Sequence, residues 1–267
     1  MPRSADFPIA LITGASSGIG QTLAPLFAAA GHDLVLVARS TARLKALAES
    51  IMANYDVKVR VETADLARPG AAATLAFALK RKRVKIDLLV NNAGVLEQCA
   101  FTSMSPTALQ GMIDLNITGL TAMLSHFVPP MVARGLGRVL NVASIAAFQP
   151  VPTLAAYAAS TAYVLSLTES LSEELRGTGV SVTALCPGIT ATGMLSTASQ
   201  ANGKIGQIPD FLIDDVEDVA RQAFKACMSG DVICVPGAVN RAAMLVSRGT
   251  PRWLVRRVGG LIGRKAL

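Results

Sequence analysis

Residues 9–31 read IALITGASSGIGQTLAPLFAAAG, and this stretch narrows the choice of fold more than any other. A strand-like run, IALIT, enters a turn with glycines at 14, 18 and 20, and the turn opens onto good helix formers. Strand, glycine turn and helix in direct succession are how an α/β unit begins. Gly14, Gly18 and Gly20, with Ser16, Ser17 and Ile19 between them, stand where the chain turns tightly. There a phosphate can approach backbone N–H groups at a helix N-terminus. The spacing is G-x-x-x-G-x-G rather than G-x-G-x-x-G, so its weight comes from its place after the first strand of an alternating pattern.

That alternation runs through most of the chain. Strand-like segments at 9–13, 33–38, 57–65, 86–92, 137–144, 180–188 and 231–237 are separated by helix-compatible stretches such as 23–30, 41–55, 106–128 and 157–176. Runs such as LVLVA and LLV show no polar alternation, as expected of strands covered on both faces. The expectation is one Rossmann-type α/β domain over residues 1–267, a doubly wound parallel sheet with helices on both faces. With 51% hydrophobic residues the chain readily supplies such a core. No purely apolar run of about 18 residues appears, and the N-terminus, MPRSADFPIALITG, does not read as a signal peptide. Four cysteines without C-x-x-C spacing read as reduced thiols of a cytoplasmic protein. Two histidines, neither near a cysteine in sequence, argue against zinc.

The end of the second strand selects the dinucleotide. An NAD site usually carries an acidic residue there to hold the ribose 2′-hydroxyl. Here the sequence reads Ala38, Arg39, Ser40. No carboxylate repels a 2′-phosphate, and a guanidinium is available to pair with one, which favours NADP(H). Asp65, ending the third strand, with Leu66, and Asn91, Ala93 and Gly94 at the end of the fourth, extend a trough along the carboxyl ends of the strands.

The segment AAYAASTAYV, residues 155–164, sets Tyr157 and Thr161 one turn apart on a helix face. With TGASSGIG at 13–20, DL at 65–66, NNAG at 91–94, Asn116 in LNITG, Ser144 in NVAS, and PG at 187–188 followed by Thr192, the sequence resembles the short-chain dehydrogenase/reductase family over at least residues 9–192. The resemblance implies hydride exchange between NADP(H) and a carbonyl or alcohol, here small or medium and apolar. It implies that Tyr157 moves the proton, Ser144 hydrogen-bonds the substrate oxygen and Asn116 fixes a relay water. It adds Tyr157, Pro187, Gly188, Ile189 and Thr192 to the cofactor-binding residues, and a homodimer or homotetramer as the assembly. The family normally has a lysine where this chain has Thr161. A neutral hydroxyl brings no positive charge to a phenolate, so impaired turnover is expected. Three readings of Thr161 stay open: a deliberate disabling change, a natural loss of catalysis, or compensation by another cation such as Lys204. The alternative function is a catalytically silent NADP(H)-binding protein of regulation or assembly.

Beyond the motifs, residues at about 190–215 correspond to a lid that closes over substrate in the family resembled. Leu96, Phe148, Val151 and Met194 would then face the substrate. KRKRVK at 80–85 lacks interleaved aromatics and sits at an expected helix end, so a solvated face is expected and no nucleic acid. The tail, about 241–267, carries seven basic residues and no acidic one, although the chain has 25 basic and 18 acidic residues in all. Leu254, Val258, Leu261 and Ile262 share helical spacing there. The tail is expected to pack on its own domain or on a subunit, with peripheral contact to an anionic membrane as the minority alternative.

Overall fold

The computed structural model describes residues 8–191 and 213–251, together with 253, 254 and 257. Its centre is a seven-stranded sheet in the order β3-β2-β1-β4-β5-β6-β9. The strands are β1 Ile9–Thr13, β2 Asp33–Ala38, β3 Val59–Thr63, β4 Leu88–Asn91, β5 Gly137–Val142, β6 Val180–Leu185 and β9 Ile233–Cys234. Every pairing is parallel. The order reverses between β1 and β4, and a crevice forms at such a switch point outside the carboxyl ends of the strands. Two further short strands, β7 Ile189–Thr190 and β8 Ile213–Asp214, form a parallel pair of their own.

The apolar runs explain the doubly wound form. Along β1, Leu11 joins one core while Ala10 and Ile12 join the other, and along β2 Val35 and Val37 part in the same way from Leu34 and Leu36. The first core lies under α3 Ala71–Arg81, α5 Leu120–Arg134 and α6 Ala155–Glu174. The second lies under α1 Gly18–Ala29, α2 Thr41–Asn54 and α7 Val216–Ser229. Helix α4 Pro106–Ile113 precedes α5, and α8 Ala238–Gly249 follows β9. The expected doubly wound sheet is therefore what forms, with helices on both faces.

Several boundaries move for identifiable reasons. The long helical region continues past Val128 to Arg134, with Pro129 and Pro130 inside α5. Each proline forgoes one backbone hydrogen bond, but Phe127, Val128 and Met131 are buried on either side and hold the helix to the sheet. Helix α1 begins at Gly18, directly on the glycine turn. Strand β3 stops at Thr63, so Asp65 lies in the loop beyond it. β3 is an edge strand with a half-exposed pattern, and its ladder is shorter than its β-forming composition would allow. The basic run behaves as expected: Lys80 and Arg81 close α3, and Lys82 and Arg83 follow as exposed residues, with Lys82 paired to Glu62 at 2.5 Å.

The turn from α5 into β5 is unusually close. Gly135 caps α5 with a left-handed φ of 67°. Gly137 N donates to Gly179 O at 3.3 Å. Gly179, with φ of 80°, lies so near that a Cβ placed on it would be 2.0 Å from Gly135 O.

Candidate active site

The glycine turn is locked to the loop after β4. Thr13 Oγ1 donates to Val90 O at 3.1 Å and accepts from Asn92 N at 2.9 Å and Ala93 N at 3.0 Å. Asn92 Nδ2 donates back to Thr13 O and Gly14 O, at 3.0 and 3.2 Å. Gly14 has φ of 65°, and a Cβ there would be 2.9 Å from Ala93 Cα, so only glycine suits the position. Gly20 serves differently from the expected tight turn. It lies within α1, and its lack of a side chain lets Asn92 pass 2.4 Å from where a Cβ would sit. Ser17 caps α1 with its backbone only, so its side chain takes up none of the first-turn N–H groups. Ser16 and Ile19 are partly buried beside it.

The next strand ends complete the trough. Arg39 stands exposed one residue past β2 and, among the described residues, forms no ion pair. Ser40 begins α2 without a side-chain cap bond. Asp65 accepts from Ala67 N at 3.3 Å and meets Arg68 at 3.5 Å, and Leu66 is buried beside it. Asn91 turns into the sheet instead, where its Nδ2 donates to Asn141 Oδ1 at 2.9 Å. Thr13 and Asn92 are thus the side chains that hold the two loops together, and neither stood among the expected site residues.

The second half of the site gathers on α6. Ser144, at the end of β5, accepts from Ala146 N at 3.2 Å to cap a short 3-10 turn at Ile145–Phe148. Its hydroxyl faces the phenol of Tyr157, in the first turn of α6, closely enough to favour the phenolate. Desolvation raises the Tyr157 pKa above its ordinary value, with a small upward push from the Cys186 thiol and a downward one from Ser144. No cation contributes among the described residues. Thr161 is 5% exposed, and its Oγ1 donates to Ala158 O at 3.0 Å, so the hydroxyl is satisfied by its own helix.

Asn116 lies in a π-helical turn, Asp114–Gly119, between α4 and α5. Its side chain brackets Val95, accepting from Val95 N and donating to Val95 O, each at 2.9 Å. Asn116 Nδ2 also reaches Ser160 Oγ at 3.2 Å, and that hydroxyl donates to Tyr157 O at 2.8 Å. Asn116 thereby ties the Gly94 loop to the helix of Tyr157. With its amide engaged on both sides, the side chain braces the loop against the helix.

The loop after β6 approaches from the far side. Pro187 O accepts from Ile145 N at 2.9 Å. Asp214 holds the Gly188 backbone N–H and accepts from Asn240 Nδ2 at 2.6 Å, while burial pushes its carboxyl pKa up. Ile189 is exposed at the start of β7. Thr192, Met194, Lys204 and most of the expected lid lie outside the described residues, as does much of the tail beyond Pro251. Among the described residues no three potential ligands cluster for a metal, and no helix is long and apolar enough to cross a membrane.

Comparison with known proteins fits this arrangement. Residues 8–203 match the family described as short chain dehydrogenase. The chain is 36% identical over 184 residues to an uncharacterised oxidoreductase of Staphylococcus saprophyticus, spanning 69% of this chain and 79% of that protein. A short-chain dehydrogenase from Sphingobium yanoikuyae, solved with NADPH, has a TM-score of 0.80 at 34% identity, covering 91% of this chain and 94% of that one. A short-chain dehydrogenase/reductase from Burkholderia phymatum, solved with NAD, has a TM-score of 0.80 at 25% identity, covering 90% and 92%.

Proposed function

Because this chain belongs to the short-chain dehydrogenase family, and is an oxidoreductase by type, we propose that it is an NADP(H)-dependent reductase of small or medium apolar carbonyls, slowed by Thr161. The observation that carries this reading is that Ser144, at the end of β5, and Tyr157, in the first turn of α6, come together on the side of the sheet where the glycine turn opens. The glycine turn suits a dinucleotide: Gly14 and Gly20 leave no room for side chains against Asn92 and Ala93, so the turn stays bare backbone, and the N-terminus of α1 carries no side-chain cap. Gly14, Ser16, Ser17, Gly18, Ile19 and Gly20 would hold the pyrophosphate, and Pro187, Gly188 and Ile189 would border the nicotinamide. Asp65, Leu66, Ala93 and Gly94 would line the stretch between. When bound, the cofactor supplies the hydride. Ser144 orients the carbonyl oxygen, and Tyr157 gives that oxygen its proton. Asn116 keeps Tyr157 in place through Ser160.

Direct evidence for the activity would be NADPH oxidation over a panel of ketones, aldehydes and quinones. The expected result is slow turnover of apolar members that disappears in Tyr157→Phe. No turnover with any member, by the chain or by Thr161→Lys, together with intact NADPH binding, would overturn the reading.

The 2′-phosphate preference rests on Arg39, an exposed guanidinium with no acidic neighbour at the strand end. Arg39→Asp is expected to lower the preference for NADPH over NADH by about 10²-fold, as two or three kcal/mol of charge-assisted bonding is lost and a repulsion introduced. Fluorescence titration of both nucleotides checks it, and an unchanged ratio would remove Arg39 from the site.

The raised pKa of Tyr157 also fixes a pH dependence. Alcohol oxidation needs the phenolate, so its initial rate climbs with pH and reaches no plateau by about pH 10, the ordinary tyrosine value. The sign for stability follows from the same shift. With its pKa raised in the folded state, Tyr157 contributes stability that is fully present below about pH 10 and lost as pH rises past it. A rate–pH profile with a plateau near neutrality would show that a cation reaches the phenol after all.

A further inference from the structure

Helix α8 presents its apolar residues to solvent. Asn240 is turned to the protein, donating to Asp214 Oδ2 and, at 2.9 Å, to Pro236 O. Met244, one turn on, packs against the core. On the outer side, Val239, Leu245 and Val246 are 55%, 64% and 67% exposed, and Ala242 and Ala243 between them are exposed as well. At 100° per residue these five positions fall within a single arc of about 160° that holds no polar residue. Arg241, exposed, stands at the edge of that arc. Just past the helix, Trp253 and Leu254 are 54% and 39% exposed, and the Arg257 guanidinium lies 5.8 Å from the Trp253 ring centre.

The apolar face thus belongs to a segment whose ionised side chains are all positive: seven basic residues and no acidic one from Arg241 to Leu267. A second copy of the same face would bring like charges together with no carboxylate to pair them. A surface of phospholipid with acidic headgroups meets both needs, with hydrocarbon for the aliphatic stripe and phosphate for the arginines. Tryptophan, apolar in body and polar at its N–H, suits the boundary between the two. We propose that the outer face of α8, continued by Trp253 and Leu254, docks this protein on an anionic phospholipid membrane.

The test is co-sedimentation of the full chain with vesicles of phosphatidylglycerol mixed into phosphatidylcholine, beside vesicles of phosphatidylcholine alone. Pelleting is expected with the anionic vesicles only, and added salt should weaken it. Leu245→Glu and Val246→Glu are each expected to reduce partitioning by about tenfold or more. Phe77→Glu, at an exposed apolar position on α3, is expected to leave it unchanged. Circular dichroism melts show whether the variants keep the fold, and Val246→Ser, which adds no charge, replaces any that does not. Absence of pelleting, equal pelleting by both lipid compositions, or unchanged partitioning in the α8 variants would each overturn the proposal. So would an oligomer that Leu245→Glu splits, seen by sedimentation equilibrium without vesicle binding, since the face would then be a contact between copies.

Discussion

Thr161→Lys is expected to raise carbonyl reduction by about 10²–10⁴-fold, the span that a well-placed acid–base group contributes. Among the described residues the phenol has a Ser144 hydroxyl on one side and apolar surroundings but no positive charge, and the threonine one turn on donates to Ala158 O. Desolvation is the main force that drives the Tyr157 pKa upward, away from neutrality. A lysine ammonium one turn away opposes that shift, because an opposite charge within about 4–6 Å favours the phenolate. Affinity for NADPH is expected to change far less, since the glycine turn and Arg39 are untouched. Thr161→Met separates charge from length: it adds a comparable chain without an ammonium and is expected to give no rise. Single-turnover rates and rate–pH profiles of the three proteins decide the matter. A rise shared by lysine and methionine would make packing at position 161 the cause, and no rise in either would place the proton elsewhere.

The second large effect concerns stability. Gly179→Ala is expected to cost about 3–5 kcal/mol, lowering Tm by roughly 10 °C. Two penalties coincide there. The backbone has φ of 80°, which side-chain-bearing residues rarely adopt. The added methyl would also arrive 2.0 Å from Gly135 O, a backbone atom that can yield only by moving the end of α5. Gly177→Ala is the control, since it shares a left-handed φ of 81° but meets nothing within 4 Å. It is expected to lose only the conformational part, about 1–2 kcal/mol. Equal losses in the two variants would show that the α5–β5 turn relaxes freely. Thermal melts followed by circular dichroism measure both.

How much of this was legible in the sequence depended on whether the deciding force was local. Strand positions and the two-sided burial of β1 and β2 were legible, because buried parallel strands need unbroken apolar runs. The glycine turn was legible for the same reason: Gly14 answers to its own backbone angle. Gly20 was found by motif but explained by contact, since what excludes a side chain there is Asn92, 72 positions along the chain. Asn92 and Thr13 went unassigned because their work is mutual, across two loops that only the folded sheet brings side by side. Conversely Asn91, from the same NNAG motif, spends its amide inside the sheet on Asn141. A proline pair normally ends a helix, yet α5 runs through Pro129 and Pro130 because tertiary burial outweighs two missing bonds. The hydrogen-bonding brace made by Asn116 likewise depends on a π-helical turn that no periodicity announces.

The small pair β7–β8 has a bearing on how such a chain can change over generations. Ile189 and Ile213 are paired, as are Thr190 and Asp214, so the residues that flank the interval 192–212 stand side by side. Asp214 fastens that spot to Gly188 and Asn240. None of the strand pairings of the seven-stranded sheet draws on the interval between the two ends. Doubling the length of chain closed between two fixed ends adds only about 0.6 kcal/mol of closure entropy. New sequence can be spliced into this interval, longer or shorter, and the sheet, the glycine turn and the tyrosine helix keep their places. The interval is in effect a replaceable cassette on a fixed chassis, because its two ends are held together whatever stands between them.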